Sequence, residues 1–122
     1  MEARALSNQR TETKRYIIKG FLPGKLLDAS GQVALSARPL DVSRRGLALI
    51  LNVAIQTGSF VWLQVDDKRI KLELAYCHSH LGIDNVFKCG FFTKDADCSL
   101  EDLFLRKGLI NANEYTTESN GI

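Results

Sequence analysis

The sequence predicts a mostly β domain, a small antiparallel sandwich or barrel with one amphipathic helix against it, and three observations carry that expectation. Short apolar runs are separated by turn residues at intervals of about ten positions, as in compact all-β units. SFVWLQVDDKRIKLELAYC reads as a hairpin turning at Asp66 and Asp67. At Asp95 the apolar period changes from strand-like to helical.

Taken in order, the chain opens on a basic stretch. Arg4, Arg10, Lys14, Arg15 and Lys19 face only Glu2 and Glu12, so residues 1–15 are expected to form a flexible arm suited to an anionic partner. From Tyr16, RYIIKGF and KLLDAS are apolar runs broken by Gly20, Pro23 and Gly24, which confines them to an edge strand or an approach loop. Asp28 to Gly31 supplies turn chemistry, and QVALSARPLDVS reads as the next strand, made irregular by Pro39. LALILNVAI after Gly46 is apolar enough for a strand covered on both sides or running into a buried turn.

In the DDK hairpin, Ile70, Leu72, Leu74 and Tyr76 are expected on the core face, with Lys71, Glu73 and Ala75 on the wet one. A second hairpin, HSHLGI and VFKCGFF, turns at Asp84 and Asn85. DADCSLEDLFLRKGLI then places Leu100, Leu103 and Phe104 at helical spacing, with Ser99 as N-cap and Gly108 as terminator. The barrel and helix are expected over residues 16–110, and the polar residues 111–122 as a frayed tail.

Composition narrows the function. A chain of 122 residues with 45% hydrophobic and 25% charged residues fits one globular domain. No apolar run approaches the roughly 20 residues of a membrane helix, and MEARALSNQR lacks the apolar centre of a signal peptide, so a cytoplasmic location without a membrane span is expected. The net charge of +2 is too small for a nonspecific DNA binder, and a single Trp with scattered Phe residues makes an RNA-binding barrel the weakest reading. Cys77, Cys89 and Cys98 have neither CxxC spacing nor an even count, so reduced thiols are expected, and a strand would turn Cys77 away from His78 and His80, against a metal site. GFLPGK is one residue short of a phosphate loop, and no nucleophile lies with a base, so no enzyme is expected.

The most specific stretch is LDVSRRGLAL. Asp41, Ser43 and Gly46 set an acid, a hydroxyl and a residue without Cβ at the start of a strand, after a basic arm and before hairpins, KCGFF and a helix. On chemistry alone this is either an Asx-type turn or a pocket edge. With Asp41, Ser43 and Gly46 as [D/N]xSxxG and Gly90 and Phe92 as a Gly-x-Phe strand end, residues from Gln9 to about Leu109 resemble the PilZ domain, a bacterial receptor module for cyclic di-GMP. The family's other motif is RxxxR. Here Arg10 and Arg15 flank four residues instead of three, and Lys14 stands where RxxxR counted from Arg10 would end.

The resemblance implies a six-stranded antiparallel β-barrel with a C-terminal α-helix, no catalysis, no cofactor beyond the ligand, and an effector protein as partner in motility, pilus or biofilm outputs. It implies a cyclic di-GMP site of Arg10, Lys14, Arg15, Asp41, Ser43 and Gly46. The chemistry fits: a guanidinium fork suits phosphate oxygens and the O6/N7 edge of guanine, and a carboxylate accepts from guanine N1 and N2. Arg44 and Arg45, inside the motif, are expected to face solvent. A PilZ-like module that binds protein and no nucleotide is the alternative.

Overall fold

The structure, a computed structural model, describes residues 12–119. It contains the strands β1 (Glu12–Ile17), β2 (Lys25–Leu27), β3 (Ala34–Leu35), β4 (Ala37–Val42), β5 (Gly46–Leu51), β6 (Phe60–Val65), β7 (Lys68–Ser79), β8 (Phe87–Phe92) and β9 (Tyr115–Ser119), and the helix α1 (Leu100–Arg106). Every strand pair is antiparallel, in the order β3-β2-β6-β7-β8-β5-β4-β1-β9.

The mostly β expectation holds, and so does the single short helix among the described residues; the six-stranded barrel does not. The sheet has nine strands and is not closed, with β3 and β9 at its ends. The outer edge of β1, which a barrel would use for closure, is taken by β9 over five residue pairs from Glu12↔Ser119 to Tyr16↔Tyr115. Two boundaries move with it. Residues 12–15, expected in a flexible arm, belong to β1, and residues 115–119, expected in a frayed tail, form β9.

One face of the sheet holds the core. Val42, Leu47, Leu49, Leu51, Val61, Leu63, Leu72, Cys89 and Phe91 are buried there, with Leu100, Leu103 and Phe104 of α1 laid against them. Alternation sends the intervening residues outward. At two places an extra residue shifts that alternation: Leu40 in β4, where pairing passes from Pro39↔Leu49 to Asp41↔Ala48, and Ala75 in β7, where it passes from Leu74↔Phe91 to Tyr76↔Gly90. Both bulges end on one transverse row of the sheet, Ile17–Asp41–Ala48–Gly90–Tyr76. Tyr76, expected on the core face with Leu74, is consequently 40% exposed on the other.

At seven residues, α1 is too short to persist alone and depends on its ends and its packing. The Ser99 hydroxyl accepts from the Asp102 N–H at 3.1 Å. At the other end the Leu109 N–H bonds the Phe104 carbonyl and the Gly108 N–H the Leu105 carbonyl, with Gly108 at φ +73°, the Schellman arrangement. Docking to the sheet comes from the Leu100 N–H on the Arg44 carbonyl at 2.7 Å and from the Tyr16 hydroxyl donating to Glu101 Oε2 at 3.1 Å. No helix among the described residues is long and apolar enough to cross a membrane.

Candidate functional site

A cleft of about 420 Å³ lies on the outward face over the transverse row that ends both bulges. Along that row Ala48 and Gly90, neither with a long side chain, separate Asp41 from Tyr76. The walls are Arg15, Ile17 and Thr116 on one side and Tyr76, Lys88 and Phe92 on the other. Lys88 and Arg15 supply the cationic groups of the lining and Asp41 its carboxylate.

Asp41 faces the cleft because the Leu40 bulge puts it on the outward row beside Ala48. β1 runs alongside, and its alternation brings Arg15 to the same face. Arg15 Nε donates to Asp41 Oδ1 at 2.7 Å, Arg15 Nη2 reaches the same oxygen at 2.7 Å, and both side chains are about one-quarter exposed. Both Arg15 contacts fall on Oδ1 of Asp41, and a carboxylate has further acceptor capacity at its second oxygen.

Ser43 and Gly46 support that pair from behind. Ser43 is 4% exposed; its hydroxyl accepts from the Gly46 N–H at 3.0 Å and from Arg15 Nη1 at 3.3 Å, and its own N–H bonds the Gly46 carbonyl at 2.9 Å. A Cβ on Gly46 would stand 3.0 Å from Ser43 Oγ and 3.4 Å from Arg15 Nη1, so the missing side chain makes room for the guanidinium. The spacing of DVSRRG thus has a local cause. Its acid holds the arginine, its hydroxyl closes the two-residue Arg44–Arg45 turn, and its glycine admits both. Arg44 and Arg45 are exposed, as expected of turn residues.

Of the other sequence-predicted site residues, Lys14 is not brought to the cleft. It is adjacent to Arg15 in β1 and therefore on the opposite face, where its Nζ lies 4.6 Å from the centre of the Tyr115 ring. Arg10 lies outside the described residues. Sequence reasoning missed Tyr76, Lys88 and Thr116 as cleft residues. Tyr76 lies flat over Gly90, where any Cβ would collide with its ring, and stacks on His78 with centroids 5.3 Å apart at 16°. The glycine of KCGFF was the available signal, since a bare strand position invites an aromatic neighbour to cover it.

A second groove, about 880 Å³, runs between the β6–β7 hairpin and the start of α1. Its rim mixes Asp66, Asp67, Asp95 and Asp97 with Lys68, Arg69, Lys71 and Lys94, and it contains none of the sequence-predicted site residues. No cluster of three or more His, Cys, Asp and Glu side chains suited to a metal occurs among the described residues. The chain matches no family model, no curated protein and no solved structure.

Proposed function

We propose that the chain is a receptor for cyclic di-GMP, held in the cleft over the Asp41–Tyr76 row. The observation that carries the reading is the Arg15–Asp41 pair, a guanidinium and a carboxylate already fixed side by side on the cleft lining. A carboxylate suits the N1 and N2 donors of guanine, a pair adenine lacks, while Arg15 and Lys88 suit phosphate or the O6/N7 edge. Tyr76 and Phe92 offer apolar surface to a flat base.

In this reading Ser43 and Gly46 position Arg15, and the basic stretch before β1, with Arg10, supplies the second clamp. Its closure over the ligand passes the signal to an effector protein in motility, pilus or biofilm control. The PilZ resemblance supports this through Asp41, Ser43, Gly46, Gly90 and Phe92.

Isothermal titration with cyclic di-GMP tests it, at tens of micromolar protein by order of magnitude. Saturable heat is expected, with affinity reduced about 5- to 150-fold in Asp41→Ala, the worth of one well-made base contact. No heat from the intact chain overturns the reading.

A second reading, a PilZ-like module that binds protein and no nucleotide, is favoured by one observation. Arg15 spends its fork on Asp41 and Ser43. It predicts silent titrations and a thermal midpoint that the nucleotide does not move.

A further inference from the structure

The sulfurs of Cys77 and Cys89 stand 3.0 Å apart on neighbouring strands, the Cys89 thiol donating to the Cys77 sulfur. Register accounts for this closeness. The His80 N–H bonds the Val86 carbonyl at 2.8 Å, which makes residues 80 and 86 a hydrogen-bonded pair. Alternation along the ladder then makes Cys77↔Cys89, three rungs away, a non-hydrogen-bonded pair. Such pairs bring Cα atoms to about 4.5 Å. That falls inside the window of about 4.4–6.8 Å that a disulfide spans. Both side chains already point to the core face, so neither strand has to turn to join them.

The two sulfurs differ in access. Cys89 is fully buried and Cys77 half-buried, and the Ile55 N–H also donates to Cys77 Sγ, at 3.5 Å. Burial, and then the bond to Cys77, pushes the Cys89 thiol up to about 12, so it keeps its proton. Cys77 is the sulfur an oxidant can reach, and Cys89 is the thiol held against it.

We propose that Cys77 and Cys89 form a reversible redox site in which hydrogen peroxide joins β7 to β8 by a disulfide. The Cys77 thiolate attacks one peroxide oxygen, the O–O bond breaks, and hydroxide leaves, giving a sulfenic acid. The Cys89 sulfur then attacks the Cys77 sulfur; the S–O bond breaks and the hydroxyl departs as water with the Cys89 proton. In sum, two thiols and one peroxide give one disulfide and two waters, and a small-molecule thiol reverses the change by exchange. The bond would lie directly beside Tyr76 and Gly90 and clamp that wall of the cleft, whatever the cleft binds.

Tryptic mapping provides the test, because cleavage at Lys71, Lys88 and Lys94 puts Cys77 and Cys89 on separate peptides, 72–88 and 89–94. After a small molar excess of hydrogen peroxide and alkylation of the unfolded chain, the two peptides should travel as one species lighter by two hydrogens, and dithiothreitol should separate them. Cys98→Ser should leave the linkage intact, while Cys77→Ser and Cys89→Ser should each abolish it; if the buried Cys89→Ser chain does not fold, Cys77→Ser decides. Recovery of both peptides as alkylated thiols overturns the proposal. So does Cys77 sulfinic acid beside unmodified Cys89, or a bridge formed through Cys98.

Discussion

Replacing Gly90 with alanine puts a methyl group where the Tyr76 ring now lies, so the ring must move off the strand or the strands must part. Overpacking of this kind costs about 1–3 kcal/mol, which a denaturant titration resolves as a lower midpoint. The cost should largely vanish in a Tyr76→Ala background, because the two residues share one contact and are not additive. The PilZ resemblance names Asp41 and Arg15 together, and the structure pairs them on the cleft lining; the local pattern alone leaves a turn and a pocket edge equally open. Lys14 is expected at the site as the end of an RxxxR counted from Arg10, but strand alternation parts it from Arg15 onto the opposite face. Tyr76 was assigned to the core for a related reason. Its phase was counted from Leu72 and Leu74, and the extra residue Ala75 resets the count.

Helix α1 is short enough for its caps to be measurable. Ser99→Ala removes the acceptor of the Asp102 N–H and should cost about 1 kcal/mol. Phe104→Ala, at a fully buried position, should cost about 3–5 kcal/mol. Urea midpoints in that order, with the small loss at the cap and the large one in the core, check both estimates. The helix, its cap and its terminator were all readable because each is decided within a few residues. β9 was not. Tyr115, Thr116 and Thr117 suit a strand, but the edge they complete belongs to β1, nearly the whole chain away, and no local pattern announces a partner that distant. Ending the chain at Glu114 should lower the thermal midpoint, since it strips the β1 edge and the Tyr115 ring that packs 5.6 Å from Tyr16. Loss of a frayed tail would leave that midpoint in place.

For the whole molecule, buried proton-holding groups set the alkaline limit. Burial, and then Asp95, raises the Cys98 thiol from 9.0; burial and the bond to Cys77 raise Cys89; burial and Glu101 raise the Tyr16 hydroxyl from 10.0. In each case the unfolded chain releases its proton at a lower pH than the folded one. The stabilisation is therefore complete below about pH 9 and lost as pH rises beyond it. Urea midpoints should be level through neutral pH and decline steadily above that point; a midpoint that rises on the alkaline side contradicts the assignment.

The paired bulges give this sheet an unusual tolerance. Removing a residue from a strand ordinarily inverts every side chain beyond the gap, turning core to solvent. Leu40 and Ala75 are surplus to the ladder, so excising either lets its neighbours re-pair in regular register with each side chain on its present face. A three-base deletion at those codons should give a soluble, cooperatively folding chain whose cleft is merely flattened, whereas the same deletion at Leu49 or Leu72 should give none.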